Sequence, residues 1–141
     1  QLNKAFLPPG VTPVFIRCKA KRGQTCVAQN MFIWPGIELL GCVIATRKSI
    51  RNNVLYRVLA IGEDTVTLAL AEEGECNPIE LTLSQVGEWL RLSFARTYAS
   101  CQGTEFGETL RLHDTTNPHF SMRHLFVSMS RARECSKLSV T

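Results

Sequence analysis

Residues 55–70, LYRVLAI-GED-TVTLAL, constrain this chain more than any other stretch. Leu55-Tyr56-Arg57-Val58-Leu59-Ala60-Ile61 and Thr65-Val66-Thr67-Leu68-Ala69-Leu70 both read as strands, and Gly62-Glu63-Asp64 between them is turn chemistry. Such a pattern predicts an antiparallel β-hairpin. A hairpin alone is marginal in water and needs further strands. The neighbouring sequence offers them in Gly36–Ala45 (GIELLGCVIA), set off by Trp34-Pro35-Gly36, and in Ile79-Glu80-Leu81-Thr82-Leu83. Strand signals therefore recur between residues 36 and 83, with one hairpin at 55–70.

On the N-terminal side, residues 1–13 are rich in turn-forming Pro8-Pro9-Gly10 and Pro13 and read as a linker. Val14-Phe15-Ile16 is a short buried-strand signal. The basic cluster Arg17, Lys19, Lys21 and Arg22 follows, then a helix-compatible run ending near Asn30. On the C-terminal side, residues 71–78 form an acidic loop and Leu90–Ala95 a connecting apolar stretch. Thr109–Leu112 is a strand signal and Leu125–Met129 an apolar helix signal that ends in Ser130-Arg131-Ala132-Arg133. Two arginines are thus expected to emerge from a buried helix. A guanidinium held this way loses little side-chain entropy when it binds, which suits contact with a phosphoryl group.

A chain of 141 residues with 45% hydrophobic content is long enough for one compact domain, or one with a small subdomain. Its longest apolar runs fall well short of the roughly 18–20 residues of a membrane helix, so no membrane association is expected. The Gln1 start suggests a piece of a longer protein, with no signal peptide. Charge is divided unevenly. Residues 1–57 carry nine Lys/Arg against Glu38 alone, and residues 58–141 carry seven against eleven acids. The basic half is a candidate polyanion surface, or simply a solvated face. The six cysteines include no Cys-x-x-Cys pair, so they are read as reduced thiols of an intracellular protein, nuclear or cytoplasmic. His113, His119 and His124, with Asp114, lack metal-ligand spacing, and no metal site is assigned. Phe32, Trp34 and Tyr56 are candidates for base stacking or for the core.

Two motifs give these segments a context. Thr97-Tyr98-Ala99-Ser100-Cys101-Gln102-Gly103-Thr104-Glu105-Phe106 is similar to a Thr-x-His-x-x-Gln-Gly-x-Glu-Phe pattern. Val127-Ser128-Met129-Ser130-Arg131-Ala132-Arg133 is similar to an apolar run closing in Ala-x-(Ser/Thr)-Arg-Ala-(Arg/Lys). In this order, with a strand between them, they resemble the C-terminal motor domain of superfamily 1 helicases, in the branch with RecD-type and Pif-type enzymes. Gly41-Cys42-Val43-Ile44 and Asn52-Asn53 resemble the family's inserted Src-homology-type barrel, with Asn53 in place of the usual glycine. Asparagine tolerates the left-handed conformation that such a turn uses.

The resemblance implies an α/β fold: a partial RecA-like parallel sheet, residues 14–35 and 84–141, carrying an inserted small antiparallel β-barrel at 36–83. It implies that Arg131 is an arginine finger on the γ-phosphate of ATP, with Arg133 in a supporting salt bridge. Gln102, Gly103 and Glu105 would contact the nucleotide, as would Arg17 or Arg22. Arg96, Thr97 and Ser100 would touch the backbone of single-stranded DNA, although Ala99 and Ser100 stand where the family usually has histidine and lysine. The family's phosphate-binding loop and magnesium ligand are not in these residues. ATP and Mg²⁺ would therefore be bound mainly by an N-terminal RecA-like lobe of the same parent protein, of cellular, viral or mobile-element origin, and this chain alone would be inactive. Two further classes stay open. One is a catalytically inactive nucleic-acid-binding module on a helicase fold; the other is a protein-interaction module using the acidic loop and the basic half.

Overall fold

A computed structural model describes residues 2–18, 29–72, 77–98, 101–113 and 115–140. The helix-compatible run at 19–28, including Arg22, lies outside the described residues, as do Ala99, Ser100, Asp114 and the middle of the acidic loop. The chain forms two compact units, residues 1–94 and 95–141. No helix among the described residues is long and apolar enough to cross a membrane.

The first unit is built on the expected hairpin. Strands β1 (Val14–Ile16) and β2 (Met31–Ile33) pair antiparallel. Strands β3 (Glu38–Gly41), β4 (Leu55–Ile61), β5 (Thr65–Leu70), β6 (Ile79–Thr82) and β7 (Leu90–Leu92) form one antiparallel sheet in the order β6-β5-β4-β3-β7. The sheet curls into a half-barrel; among the described residues β6 and β7 end the row as its two edges, so no closed barrel is seen. The β4–β5 ladder shifts register between Val58 and Ala60, which marks a bulge at Leu59. A bulge increases local twist, and twist lets a sheet curl.

Alternation along β4 and β5 sends Tyr56, Val58, Val66 and Leu68 inward, where they meet Leu39, Leu81 and Ile33. Several sequence expectations change here. The apolar run 36–45 is a strand only over Glu38–Gly41, and Ile44 is largely exposed. The stretch at Leu90 joins the antiparallel sheet beside β3 rather than leading into a parallel one. Leu83 opens helix α1 (Leu83–Trp89) instead of closing a strand. The Thr82 hydroxyl accepts the Gln85 amide at 3.2 Å, and the Gln85 side chain accepts the Thr82 amide at 3.0 Å. That reciprocal cap satisfies two amides that the first turn leaves open. Trp34 and Tyr56 are buried, at 4% and 0% exposure, and therefore belong to the core rather than to a stacking surface.

The turn resembling the family's barrel insertion is well defined. Gly41 accepts from the Asn53 amide at 2.9 Å and donates to Val54 at 2.8 Å. A Cβ at Gly41 would run into the Arg51 carbonyl, so only glycine fits. Asn53 has φ 62°, the left-handed conformation expected of it. The buried Tyr56 hydroxyl donates to Ser49 O at 3.0 Å and accepts from Arg51 N at 2.8 Å, pinning the same loop from below.

In the second unit, β8 (Leu110–Leu112) pairs in parallel with β9 (Leu138–Val140), and helix α2 (Met122–Met129) lies on the connection between them. Parallel neighbours require such a crossover. Among the described residues, parallel pairing is confined to this pair and one bridge, Phe106 with Ala132, so β1 and β2 do not contribute to a parallel sheet. Helix α2 is not buried as expected. Met122, Phe126 and Met129 are 78%, 74% and 48% exposed, and only Ser128 is buried. Apolar spacing at i, i+4 and i+7 defines a face, and here that face is uncovered.

Candidate functional site

The two motifs meet in the second unit. The Cys101 and Thr104 amides donate to Tyr98 O at 3.3 Å and to Cys101 O at 3.1 Å. Gly103 has φ 78°, a conformation that favours glycine, and nothing lies within 4 Å of where its Cβ would be. Gln102 beside it is exposed. The chain then reaches Phe106, whose amide donates to Arg131 O at 2.8 Å and whose carbonyl accepts from Arg133 N at 3.1 Å. One residue of the first motif is therefore clamped between two of the second.

Side chains reinforce this junction. Glu105 pairs with Arg133, Oε2 to Nε, at 3.4 Å, with both side chains exposed. Arg96 lies over the Phe106 ring, 5.7 Å from its centroid, and its Nη1 donates to the Thr104 hydroxyl at 3.4 Å. Both arginine and threonine thereby hold the motif turn. Lys137 donates to Gly107 O at 2.9 Å and pairs with Glu134 at 3.0 Å.

Arg131 follows the end of α2. Its Nε and Nη2 donate to the Ser130 hydroxyl at 3.3 and 3.2 Å, and that hydroxyl donates to Val127 O at 2.9 Å. The helix end thus holds the guanidinium through one serine. Thr97 is exposed. Arg17 is exposed after β1 and lines a small cleft with Phe15, Ile16, Leu83, Ser84 and Glu88 of the first unit. Arg22 and Ser100 lie outside the described residues. The structure therefore joins Gln102, Gly103, Glu105, Arg96, Arg131 and Arg133 within one unit. No group of three His, Cys, Asp or Glu among the described residues could hold a metal ion.

Sequence reasoning passed over an aromatic cluster in this unit. Tyr98 and Phe120 meet edge to face at 5.2 Å, and the His124 ring lies 5.8 Å from the first and 6.0 Å from the second. The Tyr98 hydroxyl donates to His113 O. His124 Nδ1 accepts from the Ser121 amide at 3.1 Å in a capping arrangement at the start of α2. An aromatic after Thr97 and another before Ser121 were the signals in the sequence.

The arrangement defines a class first: a mixed α/β fold in which an antiparallel half-barrel unit is followed in sequence by a unit with a small parallel strand pair. No protein-family model matches the chain, and no curated protein sequence does. Solved structures of Pif1 helicases do. One, of two coordinating Pif1 helicases at forked double-stranded DNA, superposes with a TM-score of 0.68 at 18% identity, covering 97% of this chain and 34% of that one. A Bacteroides Pif1 bound to single-stranded DNA gives 0.63 at 14% identity, covering 98% and 36%. Bacteroides Pif1 with ADP-AlF3 and single-stranded DNA gives 0.65 at 18% identity, covering 99% and 37%. This chain spans about a third of the length of those chains and shares their fold over nearly all of its own.

Proposed function

We propose that this chain is the C-terminal portion of an ATP-dependent DNA helicase of superfamily 1, Pif-like or RecD-like, and that it supplies the arginine finger and part of a single-stranded DNA track. The observation that carries this reading is the Phe106 clamp, which ties the Gln102–Phe106 turn to Arg131 on a fold shared with Pif1 helicases. On this reading residues 84–141 and 14–35 belong to the motor lobe and 36–83 to its insertion. The parent protein works inside the cell, as a host, viral or mobile-element enzyme.

The residues present suit one flank of a nucleotide. Gly103 leaves its backbone open to close approach, Gln102 is exposed, and Arg131 carries a positive charge on a braced helix end. Arg131 would neutralise charge on the transferring phosphoryl oxygens, while ATP and Mg²⁺ would be held mainly by a partner lobe bearing a phosphate-binding loop. Arg17 and Arg22 remain candidates for nucleotide contact. Arg96, Thr97 and Ser100 would face the DNA backbone, where hydroxyl and cationic donors give affinity without reading sequence.

The test is binding of a single-stranded oligonucleotide across a salt series. A phosphate-tracking surface loses affinity linearly on logarithmic axes, with a slope of about −0.7 per phosphate contacted. Absence of binding at low salt would refute the track and favour a protein-interaction module. A second reading, a catalytically inactive nucleic-acid-binding module, is favoured by Ala99 and Ser100, which remove a ring and a cation from the motif. It predicts the same salt slope with no ATP turnover in the parent protein.

A further inference from the structure

The rings of Tyr98, Phe120 and His124 border a cleft of about 220 Å³, with Asn117 and His119 also in its lining. That volume is below the roughly 300–1,000 Å³ of pockets that take drug-sized ligands, and it suits a single planar ring. The geometry points to this cleft as a stacking site for one unpaired nucleobase. The inference rests on the single-stranded DNA track proposed above and adds a base contact to its backbone contacts.

Three features support it. The rings are braced in place by polar bonds rather than by mutual packing alone. Tyr98 is fixed through its hydroxyl to His113 O, and His124 through its Nδ1 to the Ser121 amide. The loop carrying Phe120 is fixed by Phe120 N to Asn117 O at 2.8 Å and His119 N to Asn117 Oδ1 at 2.9 Å. Rings held before binding lose little entropy when a base arrives. The arrangement is also open. Tyr98 and Phe120 meet edge to face and His124 is tilted to both, which leaves ring surface facing the cleft. Finally, Tyr98 directly follows Thr97 in the segment assigned to the sugar-phosphate backbone, so a strand gripped there has a base within reach of the rings. Stacking accepts any base, because each presents a flat π-face.

The experiment compares binding of a short oligothymidylate with binding of the same backbone made abasic, using the 141-residue chain and its Phe120→Leu and Phe120→Tyr variants. The expected result is that wild type prefers the base-bearing strand. Phe120→Leu should weaken that complex by about fivefold or more without changing the abasic one, and Phe120→Tyr should behave as wild type. Equal affinity of wild type for the two strands overturns the stacking site while leaving the DNA track standing, and so does an equal loss on both strands in Phe120→Leu. If wild type binds neither strand at low salt, the track and the stacking site fall together.

Discussion

The backbone amide of Phe106 donates to the carbonyl of Arg131 at 2.8 Å, so two segments 25 positions apart in sequence share one hydrogen-bonded junction. The ion pair beside it, between Arg133 and Glu105, is 66% and 64% exposed respectively and contributes little by comparison. Exposed pairs stabilise by about 0–1 kcal/mol, whereas a stranded carbonyl or amide costs about 1–3 kcal/mol. Glu105→Gln should therefore leave the urea midpoint nearly unchanged, while Phe106→Pro, which removes the amide, should lower it clearly. The reverse ranking would show that side-chain charge, not backbone pairing, holds the motifs together.

Arg131 is the residue on which catalysis is proposed to depend. In a protein that joins this chain to a phosphate-binding lobe, Arg131→Ala should reduce ATP turnover by about 10³-fold or more while nucleotide affinity changes little. Arg131→Lys should recover only part of it, since an ammonium lacks the planar fork. Steady-state turnover beside a nucleotide-binding titration separates the two effects, and full turnover in the alanine variant would dismiss the finger.

Tyr56 holds the Ser49–Arg51 loop from within the core. Tyr56→Phe keeps the ring but strands the Arg51 amide and the Ser49 carbonyl, at a cost of about 1–3 kcal/mol. Thermal unfolding should show the loss, and hydrogen exchange should show it concentrated in residues 49–56.

Cys18 is half-buried, and burial pushes its thiol above the ordinary range. A raised thiol holds less thiolate at any given pH, so alkylation of Cys18 should begin at a higher pH than that of an ordinary thiol. Iodoacetamide labelling read by peptide mass mapping across the alkaline range checks this. Labelling of Cys18 at neutral pH as fast as that of exposed Cys135 would contradict it.

What could be read from the sequence was local. The 55–70 hairpin announces itself because strand, turn and strand are contiguous, and Asn53 takes the left-handed conformation of the turn that the resemblance implied and that asparagine tolerates. The partner of β7 could not be read, because β3 lies some fifty positions earlier in sequence and any apolar strand might pair with it. Helix α1 was missed since Ile79 to Leu83 alternates like a strand; its signal was the Thr82-x-x-Gln85 cap. For α2 the apolar run Leu125–Met129 pointed to a helix, but it could not say whether anything covers its apolar face. The motif residues were legible as types, whereas the Phe106 clamp, a backbone contact, leaves no mark on side-chain identity.

The surplus residue at Leu59 shows how little chain length is needed to set a shape. Removing it would restore an uninterrupted ladder with Ala60 still opposite Thr67 and Ile61 still opposite Val66, so both side chains would keep their faces while the extra local twist was lost. The trough formed by the first unit thus depends on a counting offset between two strands, and a shortened variant would keep its inward and outward faces but flatten the bend.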